Sequence, residues 1–350
     1  MKQLFVDGVE IDLFLPTRPA GAAPPCLVLV AGTGWLGGLT KPGFLPLNRM
    51  VARHATGTGY ACALVFCRHR CITETCGVEV LSGLGAAGAL LGGWQAAAAA
   101  SVVAGLGYAG VARALALAAP AAAAAAAALA AVAARGAAAS RRRRAAARGD
   151  ALERAVADAA TAWAHVRDRA ADLGVDGGRL ALGGYSSGAQ LALLLALRLA
   201  APPKAVVLVS GALLDVDEGF HAAWDEPAPV ELFRVGKFAR AVKWIIDRFI
   251  DDILDTRSPA DRARASLPAD VGAARLRASR WRVSLCANEL AGFQPYQRAF
   301  FDHGFQRLTT LLRAADADLA TCEIAGNHWT LPLHIDDAFA ALLPRDLLDD

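Results

Sequence analysis

Arg179–Gly188, RLALGGYSSG, carries an apolar run straight into Gly184-Tyr185-Ser186-Ser187-Gly188. This is the G-x-S-x-G pattern of a nucleophile elbow. The turn from strand to helix is so tight there that the serine is strained, and its hydroxyl stands at the C-terminal edge of the sheet. Glycine is needed two residues to either side, because a side chain there would strike the neighbouring strand or helix. The surroundings fit: Leu180–Leu182 reads as a strand and Ala189–Leu199 (AQLALLLALRL) as a long apolar helix. The competing reading is a structural Gly-rich turn between strand and helix.

A serine hydroxyl is a poor nucleophile until a base takes its proton and a third group orients that base. The partners of such an elbow follow in the order serine, acid, histidine, each just after a later strand. Trp281–Ala287 (WRVSLCA) is strand-like and ends in Asn288-Glu289. Leu319–Ala325 (LATCEIA) is strand-like and ends in Gly326-Asn327-His328. Among seven histidines only His328 has this setting. His165 lies mid-helix, His54 and His69 precede the serine, His221 and His303 follow no strand, and His334 lies beyond Pro332, by the last helix. Glu289 is the expected acid, with Asp255 and Asp302 as substitutes and a solvated loop carboxylate as the bland alternative.

An oxyanion hole needs backbone N–H groups facing the developing negative charge. Cys26–Val30 (CLVLV) reads as a buried strand, and Ala31-Gly32-Thr33-Gly34-Trp35-Leu36-Gly37-Gly38 follows it. The order strand, Gly loop, strand, elbow makes this the expected oxyanion loop rather than mere turn chemistry. N–H groups from Gly32, Thr33 and Gly34 are the expected donors, joined by the N–H of Ser187 after the nucleophile.

Together these segments resemble the esterase/lipase branch of the α/β-hydrolases, within it the kynurenine-formamidase-like and carboxylesterase-like members, including isoprenylcysteine methylesterases. There the early loop reads H-G-G-x-W, beside Ala31–Trp35 (AGTGW) here. Trp163–Gly188, with LGVDGGRLALGGYSSG, is similar to the run x-G-x-D-x-x-R-I-x-x-x-G-x-S-A-G. Asn288-Glu289 with Phe293 and Gln297 resembles the acid loop of the formamidase-like members, and Gly326-Asn327-His328 resembles their histidine turn. The likeness covers residues 1–70 and 150–345. It implies an α/β-hydrolase fold, a mostly parallel central sheet flanked by helices, and hydrolysis of an ester or related acyl bond without a cofactor. Three departures stand out: Ala31 for the usual His, with Thr33 for Gly; Ser187 for Ala; and Cys286-Ala287 where Gly-Glu is common. A β-branched residue at 33 is costly if that position needs a positive φ.

The net charge of +3 gives no sign of nucleic acid. A charged fraction of 20%, a hydrophobic fraction of 55% and a mean hydropathy of +0.35 are unusual for a soluble enzyme. The N-terminal MKQLFVDGVEIDLFLP reads as two short strands around Asp7-Gly8 and not as a signal peptide. Seven cysteines, several in apparent strands (Cys26, Cys62, Cys286, Cys322), fit reduced buried thiols facing the cytosol rather than a disulfide framework. Cys67, His69, Cys71 and Cys76 cluster without the spacing of a standard zinc site, so no metal is expected.

The anomaly is the middle. Tyr60–Arg70 (YACALVFCRHR) reads as the fourth strand, and Asp150–Leu173 has the apolar spacing of the helix before the elbow. Between them, residues 71–149 form an Ala- and Gly-rich insertion. Residues 80–112 and 114–134 carry no charge, and Arg141–Arg144 (RRRR) follows. Each run reaches the ~20 residues that cross a bilayer. Both flanks belong to one folded domain, so a membrane reading demands a hairpin of two spans, with RRRR on the cytosolic side. A low-complexity, partly helical insertion is the other reading; both stay open.

Residues 1–70 and 150–350 thus form the two parts of one hydrolase domain, with residues 212–279 where this fold inserts a cap. Residues 238–253 (FARAVKWIIDRFIDDI) read there as an amphipathic helix. The expectation is a serine hydrolase acting through an acyl-enzyme on a small apolar ester or formamide. Ser186 serves as nucleophile, His328 as base and Glu289 as orienting acid. It is cytoplasmic, or membrane-anchored through residues 80–134 with the catalytic domain in the cytosol. The alternative is a catalytically silent ligand-binding or membrane-scaffold protein on the same fold.

Overall fold

Alternation around Asp7-Gly8 becomes a hairpin: β1 (Lys2–Val6) pairs antiparallel with β2 (Val9–Phe14). Asp7 and Gly8 take φ of 48° and 83°, the left-handed backbone that lets a two-residue turn follow the twist of the strands. The computed structural model describes residues 1–17, 23–32, 41–67, 151–211, 213, 220, 267, 271–287, 289, 297–328, 330–331 and 334–349.

The hairpin adds to the edge of an eight-stranded sheet ordered β1-β2-β4-β3-β5-β6-β7-β8. Its further strands are β3 (Cys26–Val30), β4 (Ala61–Phe66), β5 (Leu180–Tyr185), β6 (Ala205–Val209), β7 (Arg280–Cys286) and β8 (Leu319–Ile324). β2 pairs antiparallel with β4, and every pairing from β4 to β8 is parallel. Every residue of β3, β4, β5 and β6 is buried. That is why they read as unbroken apolar runs: a parallel strand covered on both faces has no polar side to alternate with.

The helices are α1 (Lys41–Gly57), α2 (Ala151–Asp168), α3 (Ala170–Leu173), α4 (Ser187–Arg198), α5 (Ala273–Arg277), α6 (His303–Ala314) and α7 (Ile335–Leu342). Val51, Ala52 and Ala55 of α1 share a core with Ala338, Phe339 and Leu342 of α7 and with Leu27, Leu29, Leu64 and Val207 of the sheet. α4 is buried from Ser187 through Ala196, as its all-round apolar sequence requires.

α1 is absent from the elements that the sequence predicts, because Pro42, Gly43 and Pro46 give its first turns the look of a loop. It is tied to the sheet by Arg49, whose guanidinium meets the fully buried Asp12 of β2 at 2.7 and 2.9 Å. That anchor fixes where its neighbour Asn48 points.

The insertion at 71–149, with the runs at 80–134, lies outside the described residues, as does nearly all of the segment at 212–279, including 238–253. Among the described residues no helix is long and apolar enough to cross a membrane. Cys26, Cys62, Cys67 and Cys286 are buried thiols outside any disulfide, and Cys322 is a half-buried one.

Candidate active site

Ser186 stands between the last residue of β5 and the first of α4, with φ 56° and ψ −128°. A non-glycine residue there costs on the order of 1–3 kcal/mol and persists only where the surroundings over-determine it. They do so sterically. A Cβ on Gly184 would lie 2.2 Å from the Gly188 carbonyl oxygen, and a Cβ on Gly188 would lie 2.2 Å from that of Val30. The chain can turn this tightly only with glycine at both places, and the turn leaves Ser186 half-buried at the strand end.

The structure brings Ser186, His328 and Glu289 together. Ser186 Oγ lies 2.8 Å from His328 Nε2, and His328 Nδ1 lies 2.9 Å from Glu289 Oε2. Glu289 follows β7 and is fully buried, and its Oε1 accepts the Cys286 N–H at 2.7 Å. The Glu289 carbonyl also accepts the His328 N–H at 2.9 Å, so acid and histidine are joined by backbone as well as side chain. Of the substitute acids, Asp302 stands at the N-cap of α6, and Asp255 lies outside the described residues. His334 caps α7.

The imidazole is walled by aromatics. Tyr185 stacks on it with centroids 5.5 Å apart and planes at 16°, and its hydroxyl donates to the His328 carbonyl at 3.1 Å. Burial raises the Tyr185 phenol, with the charges of Cys286 and Glu289 adding to it, so the hydroxyl stays a donor at neutral pH. Phe301 packs on the ring at 5.2 Å. It sits in a π-helical turn (Arg298–Asp302) that runs into α6; such turns re-aim side chains and recur at functional sites.

On the oxyanion side, the Gly32 N–H donates to Asn48 Oδ1 at 2.8 Å, and the Gly32 carbonyl accepts from Asn48 Nδ2 at 2.8 Å. The expected oxyanion donor at Gly32 is thus already engaged by a side chain in this structure. Its glycine has another reason: a Cβ would lie 2.7 Å from Ser186 Cβ and 2.7 Å from the Tyr185 carbonyl oxygen. Thr33 and Gly34 lie outside the described residues. Ser187 is buried and is the first residue of α4.

Residues 115–274, which include the elbow, match the model of a family described as having the alpha/beta hydrolase fold. The strand order and the elbow agree with that match. The chain has the α/β-hydrolase fold. No curated protein matches the chain by sequence. Among solved structures it is similar to EstE1, a thermophilic and thermostable carboxylesterase cloned from a metagenomic library. That similarity has 16% identity and a TM-score of 0.54, covering 100% of this chain and 88% of that one. It is also similar to a thermostable esterase from Pseudomonas putida ECU1011 (15%, TM-score 0.52, 99% and 78%). A third is from work on two fungal esterases from Rhizomucor miehei (14%, TM-score 0.53, 99% and 83%). At these identities the likeness is one of fold.

Sequence reasoning misses three side chains around this site: Asn48, Phe301 and Ser210. Ser210 follows β6, is fully buried, and lies 2.9 Å from His328 Nδ1. A serine closing an apolar strand, followed by glycine, is too common a pattern to have marked it.

Proposed function

We propose that this α/β-hydrolase is a serine hydrolase that cleaves a carboxylic ester, or a related acyl bond such as a formamide, through an acyl-enzyme. The observation that carries the reading is the hydrogen-bonded line from Ser186 Oγ through both His328 nitrogens to Glu289, at 2.8 and 2.9 Å, starting from a strained elbow serine. His328 Nε2 takes the Ser186 proton as Oγ attacks the substrate carbonyl carbon. The tetrahedral oxyanion is met by the Ser187 N–H and by N–H groups of the Thr33-Gly34 segment. As that intermediate collapses, the imidazolium returns the proton to the departing alkoxide. Water, deprotonated by the same nitrogen, then attacks the acyl-enzyme and frees the acid and Ser186.

Glu289 stays a carboxylate throughout and holds Nδ1–H, which stabilises the imidazolium formed in each step. Phe301 beside the imidazole supports an apolar acyl or alkyl group on that side of the substrate. The test needs no substrate: a fluorophosphonate should label the full-length protein covalently, and Ser186→Ala should abolish labelling without unfolding it. A well-folded wild-type protein that takes no label would leave a ligand-binding protein on this fold as the better reading.

A further inference from the structure

Ser210 ends β6 as Ser186 ends the adjacent β5, and the two serines hold left-handed φ values of 47° and 56°. Their hydroxyls reach opposite nitrogens of one imidazole, Ser186 at Nε2 (2.8 Å) and Ser210 at Nδ1 (2.9 Å). The Ser210 Oγ also lies 2.8 and 2.7 Å from the two Glu289 carboxylate oxygens. Resting on the function proposed above, we propose that Ser210 is a positioning residue of the Ser186–His328–Glu289 set, whose hydroxyl fixes the His328 proton on Nδ1 and so keeps Nε2 free to act as base.

A Glu289 carboxylate offers acceptors only, so a hydroxyl oxygen this close must turn its one proton toward it. Ser210 Oγ then presents lone pairs to everything else. One faces His328 Nδ1; the other accepts the Cys286 S–H at 3.7 Å. Burial, and then the Glu289 charge, push the Cys286 thiol up to about 12, so it remains a donor. Nδ1 therefore lies 2.9 Å from two acceptors, Oε2 and Oγ. In the Nε2–H tautomer a bare Nδ1 would face Glu289 Oε2, unless the Ser210 hydroxyl swung away from the carboxylate to donate to it; either way a buried charge-assisted hydrogen bond is lost. Glu289 disfavours that tautomer, and Ser210 adds a second acceptor for Nδ1–H and holds the carboxylate in the orientation that imposes it. The positive φ of Ser210 is the second sign, since glycine would take that backbone without strain and would carry no hydroxyl.

Ser210→Ala and Ser210→Gly, made in the full-length protein, separate a positioning role from a structural one. Both remove the hydroxyl, but glycine also relieves the positive φ, so it should be at least as stable as alanine in urea unfolding. Each variant should lower kcat on p-nitrophenyl butyrate roughly ten- to a hundredfold, the scale of one charge-assisted hydrogen bond, with KM little changed. A kcat within about twofold of wild type in either variant overturns the inference, as does activity that recovers in the glycine variant in step with stability. Fluorophosphonate labelling keeps the two readings apart. Wild type labelled and Ser186→Ala unlabelled upholds the hydrolase whatever the Ser210 variants do; an unlabelled wild type removes both.

Discussion

Replacing Glu289 by glutamine exchanges one carboxylate oxygen for an amide, and the surrounding donors dictate which way the amide turns. Oε1 accepts the Cys286 N–H at 2.7 Å, from a backbone donor that cannot reverse. If the new NH2 took that place, two buried donors would face each other at a penalty of about 1–3 kcal/mol. The glutamine oxygen therefore keeps the Cys286 side, and the NH2 falls at the Oε2 position, 2.9 Å from His328 Nδ1. Two donors cannot share that contact either, but here an escape exists. The imidazole moves its proton to Nε2, and bare Nδ1 accepts from the amide. A tautomer shift is cheaper than an orphaned backbone N–H, so it wins.

The consequence falls on the nucleophile. Nε2–H now faces Ser186 Oγ across 2.8 Å and cannot take its proton. A base held in the wrong tautomer costs on the order of 10⁴-fold in kcat, about 5.5 kcal/mol of barrier, while the isosteric change leaves the fold standing. The assay is kcat on p-nitrophenyl butyrate together with ¹⁵N spectra of histidine-labelled protein, in which Nδ1–H and Nε2–H tautomers give different shifts. A Glu289→Gln variant within about tenfold of wild-type kcat, or one that keeps Nδ1–H, would refute the reasoning.

Three further outcomes follow from particular contacts. Asn48→Ala leaves the Gly32 N–H and carbonyl without their 2.8 Å partners; at about 1–3 kcal/mol per orphaned group, urea unfolding should show a loss of roughly 2–6 kcal/mol. Asn48→Asp, which keeps the acceptor, should fall in between, and an Asn48→Ala protein as stable as wild type would contradict the clamp. Burial pushes the Cys26 and Cys286 thiols up to about 12, against about 8.5 when unfolded, so the stability they contribute is whole below about pH 8.5 and is lost as pH climbs toward 12. Among the described cysteines, iodoacetamide at pH 8.5 should accordingly modify half-buried Cys322 first; equal rates at Cys286 in the native protein would count against that burial. If residues 80–134 form a membrane hairpin, the full-length protein should resist carbonate extraction with both termini on the cytosolic side, and deleting 75–145 should release a soluble hydrolase; termini found on opposite sides would rule the hairpin out.

What the sequence makes legible here is what local physics forces. Fully buried parallel strands must be apolar throughout, so β3, β4, β5 and β6 stand out as CLVLV, ACALVF, LALGGY and AVVLV. The elbow must have glycine where Gly188 and Val30 approach, so its pattern survives in the letters. Glu289 and His328 are found because each follows a strand whose end reaches the same edge of the sheet. Asn48, Phe301 and Ser210 are hidden because their roles depend on which elements become neighbours. Asn48 matters only once α1 lies beside the loop after β3, and α1 itself is disguised by its prolines. The same dependence holds at Gly32: a Gly-rich loop after a strand announces backbone amides, but not that Asn48 engages one of them.

The two strained serines show how far such adjacency reaches. Contact with His328 does not by itself say which of them attacks, since Ser186 and Ser210 stand at nearly equal distances from its two nitrogens. Their surroundings separate them. Ser210 is fully buried, with its proton directed at Glu289, so its oxygen can neither reach a substrate nor give up that proton to the imidazole. Ser186 is half-buried, faces the nitrogen without the carboxylate, and lies beside the glycine of a loop that no side chain could occupy. In the proposed mechanism one carboxylate, arriving from β7, thus divides two similar strand ends into an attacking hydroxyl and an orienting one. Moving that charge should exchange or erase the distinction, and Glu289→Gln is the smallest change that moves it.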